Sequence, residues 1–315
     1  MNRDSALAEG LAAAGLSAFF FWGLRFLPVV GIVFVPGAAL PLVRLGARRG
    51  AKSALAAGAG AAALSAAIGF SITRSLPDSA GQALALLATA GACGVAGGLA
   101  RTRDASRVFL GLAIWGAVLG AGLWSAAPGS DREVQTRFDA MTSASIASLR
   151  QSGADPEAMK TWQSTAELVR GVIVRYGPGL IAGLWIAVAA AAFYLGRRFA
   201  LRGPEGGGFS RLRLPPALAG LFVLAGAAAA LFRGDPRRAA VDVLIPVLVL
   251  YFLAGLSIIA YFARRWFRTG VLRAAIYVMV WWLPPLWAGT AVLGLFDWYF
   301  DLRKRAEKQA IGRNE

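Results

Sequence analysis

An all-α bundle of membrane-crossing helices is the fold class this sequence predicts, and three observations carry it. Of 315 residues, 57% are hydrophobic and only 16% charged, where soluble domains carry about 25% charged residues. The apolar residues come in blocks of about 20, the length of helix that crosses roughly 30 Å of hydrocarbon. Inside lipid the backbone must satisfy its own hydrogen bonds, so such blocks form helices. The third observation is where the basic residues fall: Arg44, Arg48, Arg49 and Lys52; Arg101, Arg103 and Arg107; Arg197, Arg198 and Arg202 all lie in short connections between blocks. That is the distribution of basic loops held on the cytoplasmic side.

Taken in order, the apolar segments are 6–23, 26–43, 53–71, 82–100, 107–127, 169–195, 215–232, 240–263 and 271–298, a polytopic bundle of about eight to nine segments. The beginning does not read as a cleaved leader, because Asp4 and Glu9 offset Arg3 and the apolar stretch runs past Phe21. Only Gly23 to Arg25 and Pro28 separate the first two segments. They read either as two short helices or as one span followed by a partly inserted loop. Pro284 and Pro285 sit in the middle of the last segment, remove two backbone donors and predict a kink or break there.

The expected organisation is a six-segment bundle over 1–202, a linker over 203–214, three further segments over 215–300 and a basic tail over 301–315. The linker carries Gly203, Pro204, Gly206, Gly207 and Gly208, a composition that breaks helices. With the basic loops and this linker cytoplasmic, 72–81 and 128–168 fall outside. The polar stretch 128–168 reads as two amphipathic helices at the membrane surface or capping a cavity. Ser130 and Glu133 have capping-box spacing, and Val134, Phe138, Met141 and Leu149 recur at helical intervals. Asp155 before Pro156 marks the second start, with Met159, Trp162 and Leu168 following. Strict alternation places Arg303, Lys304 and Arg305 outside, against the charge bias. A tail on the cytoplasmic side requires a late segment to be re-entrant, and the broken 271–298 is the one that qualifies.

The net charge of +16, from 33 basic and 17 acidic residues, raises nucleic acid as a partner. No basic run interleaved with aromatics lies in a polar segment, so the charge reads as membrane anchoring against lipid, with no nucleic acid expected. With no histidine and Cys93 alone, an intrachain disulfide and a His/Cys zinc site are excluded. Cys93 reads as a small packing residue. Gly203 to Ser210 imitates a phosphate-binding loop, but Phe209 stands where the lysine belongs. No paired carboxylates lie within a span, no base accompanies a serine, and Asp242 and Asp297 have no motif around them. Neither an enzyme nor a cofactor is expected. Small residues four apart recur at Ala8/Ala12, Ala14/Ala18, Gly94/Gly98, Gly116/Gly120 and Gly179/Gly183, which predicts close helix packing.

Two residue groups are candidate sites. The first gathers at the outer face under this orientation: Trp22, Arg25, Arg74, Trp124, Arg170, Arg175 and Tyr176. This set suits an anionic or aromatic small molecule, with guanidinium forks for the anion and rings for stacking. The same residues also read as interfacial anchors, rings in the aromatic belt and arginines reaching headgroups. The second group is the ending Gly294-Leu-Phe-Asp297-Trp-Tyr-Phe-Asp301-Leu-Arg303. Asp297 and Asp301 are four apart, on one helix face, and Asp301 is placed to pair with Arg305. This end reads as an aromatic belt passing into a charged helix end, or as a partner-docking site.

That ending resembles the closing signature of the YybS-like membrane proteins, a family of unknown function. Pro41-Leu-Val-Arg44-Leu-Gly46 with Gly50, the stretch from Gly94 to Arg103, and Tyr251-Phe-Leu-Ala-Gly255 are similar to it as well. The first six segments also look like the substrate-binding S component of energy-coupling-factor transporters. That resemblance implies capture of a solute from outside, an energising module on other chains, and docking of the first helix through Ala8, Ala12, Ala14 and Ala18. The last three segments depart from a six-helix component. The expected protein is a non-enzymatic subunit of the bacterial cytoplasmic (inner) membrane that binds a small molecule and acts in uptake or sensing with a partner. The alternatives are a structural scaffold of the cell envelope without a ligand and, third, a membrane enzyme.

Overall fold

The computed structural model describes residues 3–26, 31–126, 130–153, 155–201, 208–267 and 269–305. Among the described residues the apolar segments are helical over most of their length, and there is no strand. In chain order come α1 (Arg3–Phe26), α2 (Gly31–Arg49) and α3 (Ala51–Thr73). Then α4 (Leu76–Leu86), a π-helical turn (Leu87–Gly91) and α5 (Ala92–Leu99) form one continuous span. They are followed by α6 (Ala105–Ala126), α7 (Ser130–Gln151), α8 (Pro156–Ala200), α9 (Ala217–Leu231), α10 (Asp235–Trp266), α11 (Gly270–Trp282) and α12 (Pro284–Phe300).

Five of these helices are long and apolar enough to cross a membrane: Ser5–Trp22 within α1, α3, Leu76–Leu99, α8 and α10. The α11–α12 pair counts as a sixth if taken as one bent element. Ala105–Leu119 and Ala217–Leu231 are shorter apolar helices. The first two segments are separate helices, and α2 contains Pro36 and Pro41.

The chain divides into two compact units that do not follow chain order. One comprises Met1–Gly116, Trp185–Pro216 and Val249–Glu315; the other comprises Ala117–Leu184 and Ala217–Leu248.

In the first unit, α2 packs among α1, α3 and α5 at separations only glycine allows. A Cβ on Gly46 would collide with the Gly94 carbonyl, and one on Gly98 with the backbone of Ala51. Close approach of this kind substitutes for hydrophobic drive between helices in lipid. The same device recurs where α10 crosses α12: a Cβ on Gly255 would strike the Thr290 carbonyl, and one on Gly294 the Tyr251 carbonyl. The basic clusters then meet at one end of the unit. Arg49 Nε pairs with Glu9 Oε2 at 2.7 Å. Arg101 Nη1 donates to the Arg48 carbonyl at 3.0 Å, Arg48 Nε to that of Ala200 at 3.4 Å, and buried Arg197 Nη1 to that of Ala100 at 2.9 Å.

The predicted break in the last segment is a bend of 107° between α11 and α12. Pro284 and Pro285 open α12, where the first turn has no intrahelical acceptor to lose. Both ends of the pair are tied to one residue. Arg264, in the last turn of α10, donates from Nη1 to Ser210 Oγ at 3.3 Å, and Arg303, just past α12, donates from Nη1 to the Ser210 carbonyl at 2.6 Å. The pair therefore leaves from and returns to the same place. Arg303 thus lies beside Ser210, and the α11–α12 pair is either a broken span or a re-entrant loop.

In the second unit the turn signals hold: Asp155 Oδ1 accepts the Glu157 N–H at 3.2 Å, with Pro156 opening α8. α8 has 45 residues, of which those up to Leu184 belong to this unit, more than the roughly 20 that hydrocarbon needs. It is kinked at Tyr176 (φ −125°, ψ 23°), two residues before Pro178. An internal proline frees the carbonyl four residues back. Here that carbonyl, of Val174, accepts from Arg238 Nη2 at 3.2 Å, and the Gly179 N–H is accepted by Asp242 Oδ1 at 3.1 Å. Arg238 and Asp242 lie one turn apart on α10, so one helix repairs the break in its neighbour.

The glycine crossing sets a prediction. Gly294→Val forces backbone apart and should cost about 3 kcal/mol or more, seen as a large fall in melting temperature in mild detergent. Gly289→Ala on the same helix meets nothing within 4 Å and should leave it unchanged or slightly raised.

Candidate functional site

The last helix ends where Asp301 turns left-handed (φ 46°), its N–H still donating to the Asp297 carbonyl at 2.9 Å. That turn swings Arg303 inward, where it is 4% exposed. Its Nη1 donates to the Ser210 carbonyl at 2.6 Å, and its Nη2 to the Leu212 carbonyl and Ser257 Oγ, both at 2.9 Å. Asp297 Oδ2 lies 3.0 Å from the same Nη2. Burying a guanidinium is tolerated only with such pairing. The carbonyls it takes belong to a single 3-10 turn (Phe209–Arg211) and to Leu212, which ends it, where few backbone partners are at hand.

Above this network lies a cavity of about 290 Å³ lined by Leu212, Arg213, Leu214, Pro215, Tyr251, Ala254, Gly294, Asp297 and Asp301. Arg213 Nη2 stands 3.4 Å from Asp301 Oδ1, and Lys304 Nζ 2.8 Å from Asp301 Oδ2. The hydrogen bond from Lys304, aided by the charges of Lys304, Arg213 and Arg303, holds the Asp301 carboxyl below its ordinary value. Asp297 Oδ1 and Arg303 Nε are buried without a hydrogen-bond partner. The wall thus offers a guanidinium and two carboxylates, one of which has an unsatisfied oxygen, a set able to hold a small polar molecule with both donor and anionic groups.

Of the residues singled out in the sequence, Asp297, Asp301 and Arg303 are brought together here. The expected Asp301–Arg305 pairing does not form, although the Arg305 N–H donates to the Asp301 carbonyl at 3.1 Å and so keeps the helical register. Asp301 pairs with Lys304 instead, and the Arg305 guanidinium lies 5.8 Å from the Phe300 ring centre. Ala8 and Ala12 are exposed on α1, while Ala14 and Ala18 are buried.

The outer set is shared between the two units. In the first, Trp22 is buried and donates Nε1 to Ser65 Oγ at 3.2 Å. Arg74, exposed, caps α3 in a left-handed turn (φ 56°). In the second, Arg170 Nη1 pairs with Asp139 Oδ1 at 3.0 Å beside an open cleft between α7 and α8, and the Arg175 guanidinium lies 5.7 Å from the Tyr176 ring centre. The side chains of Arg25 and Trp124 lie outside the described residues.

Sequence reasoning missed Arg213, Ser210 and Ser257, and the pairing of Arg238 and Asp242 with the α8 kink. Pro178 carried a usable signal: a proline inside a span obliges something else to take the freed groups.

The family described as "Predicted membrane protein (DUF2232)" matches residues 15–298. No curated protein and no solved structure matches the chain.

Arg303→Met should cost about 3–5 kcal/mol, since it strands Asp297 and two carbonyls. Adding Asp297→Asn should cost much less than its own single effect, measured as a double-mutant cycle of unfolding in detergent. Because the folded value of Asp301 is depressed, its contribution is full above its ordinary 3.8 and fades only as pH falls through the lower folded value. Unfolding of wild type and Asp301→Asn should therefore differ equally at neutral and mildly acidic pH and converge only in strong acid.

Proposed function

This chain belongs to the DUF2232 family of predicted membrane proteins, and we propose that it is a non-enzymatic subunit that binds a small polar molecule in the bacterial cytoplasmic membrane. It acts in uptake or sensing with a partner protein. The observation that supports binding is the cavity over the end of α12, where Asp297 Oδ1 is buried without a donor. A buried acceptor left unsatisfied costs free energy that a ligand N–H or ammonium would recover. Arg213 offers its fork to an anionic group on the same molecule. At about 290 Å³ the space is near the small end for ligand pockets, roughly 300–1,000 Å³.

A partner is supported by two features. The sequence carries no working phosphate-binding loop, so active uptake would draw on another chain or an ion gradient. Ala8 and Ala12 lie exposed on α1, the helix by which S components dock on their energising module. The outer arginines carry less of the reading than the cavity does. Arg170 already has Asp139 as a partner, in an exposed pair worth about 0–1 kcal/mol.

A scaffold without ligand is the second reading, favoured by the Arg303 network, which ties the chain end to 210–212. Native mass spectrometry of protein extracted gently from its own membrane separates the two. The binding reading expects a low-mass adduct that Arg213→Gln and Asp297→Asn diminish, the former without loss of stability. Bare protein in every preparation, with variants differing only in stability, would favour the scaffold.

A further inference from the structure

A second cavity, of about 970 Å³, runs between the α4–α5 span and α6, with Leu55 of α3 on its wall. Its lining from Leu84 to Leu99 extends about 22 Å at 1.5 Å per residue, longer than the roughly 15 Å depth of one leaflet. Small residues make it: Ala88, Gly91 and Ala92 on one side, and Gly111 of α6 on the other, where a Cβ would meet nothing within 4 Å. The π-helical turn forms part of this wall, a local irregularity that recurs at functional positions. Trp115 bridges the groove, donating Nε1 to the Ala88 carbonyl at 3.1 Å.

The other end is charged. Arg103 and Arg107 line it, both exposed and neither in an ion pair among the described residues. Asp104 lies there too, but its Oδ1 accepts the Ser106 N–H at 2.8 Å at the start of α6. An apolar trough closed by an indole and ending in two unpaired guanidinium groups matches one kind of molecule. Its long hydrocarbon part lies along the groove, and its phosphate sits between the arginines. We propose that this groove is a selective site for a phospholipid with an anionic headgroup. The arginines lie in the connection that the charge bias assigns to the cytoplasmic face, where anionic lipid is enriched. A zwitterionic lipid would fill the trough equally well and present the same phosphate, but its ammonium cancels that charge and is repelled by the two guanidinium groups.

The test uses full-length protein, delipidated and then exposed to mixed micelles of phosphatidylglycerol and phosphatidylcholine of matched chains, with retained lipid counted by native mass spectrometry. Wild type should retain one phosphatidylglycerol in preference to phosphatidylcholine by about tenfold or more, the value of one charge-assisted bond. Arg103→Gln/Arg107→Gln should bring the two lipids to near parity while still holding one. Gly111→Phe should fill the trough and abolish retention of both, with the melting temperature preserved. Inorganic phosphate should not displace the bound lipid. Equal retention by wild type, a preference that survives the double substitution, retention undiminished by Gly111→Phe, or displacement by phosphate alone would each overturn the proposal.

Discussion

One buried guanidinium decides where α12 ends and what the last helices do. Arg303 is enclosed by Asp297, Ser257 and the carbonyls of Ser210 and Leu212, and a cation at that depth is stable only with all of them. Its position fixes the tail against the segment that follows α8. Because Arg264 holds the same Ser210, the α11–α12 pair must return to where it began, and the 107° bend at its prolines makes that path available. The polar cavity is a consequence: Asp297, Asp301 and Gly294 are carried back beneath Arg213 and Tyr251.

Three other ionised groups within helices serve the backbone in the same way. Arg197 covers the Ala100 carbonyl, while Arg238 and Asp242 cover the carbonyl and N–H released at the Pro178 kink. In lipid no water is on hand for such groups, so a span can depart from regular helix only where a neighbour supplies partners. Arg197, Arg238 and Asp242 thus act first as caps on irregular backbone. Among the described residues, Asp297 Oδ1 at one cavity has no hydrogen-bond partner, and Arg103 and Arg107 at the other are in no ion pair.

What could be read beforehand follows the range of the interaction. Helical segments were legible because block length against bilayer thickness is a local property, and so were the Pro284–Pro285 break and the Asp155–Pro156 start. Gly94 and Gly98 were legible as packing residues, though not their partners at Gly46 and Ala51. The inward turn of Arg303 was not, since it hangs on the single left-handed residue Asp301. Asp242 looked idle for a similar reason: its partner Gly179 is 63 residues away, beyond any helical spacing. The span count blurred where α6 and α9 are short and α2 is interrupted by prolines.

The central claim is that Arg303 and Ser210 hold the end of α12 on the basic face. Single cysteines at 211, 304 and 74, in a background carrying Cys93→Ser, can be labelled with an impermeant maleimide in sealed, inverted membrane vesicles. The account predicts that 211 and 304 react from the same side and that 74, at the far end of α3, reacts only once the membrane is opened. Reaction of 304 together with 74 and apart from 211 would contradict it.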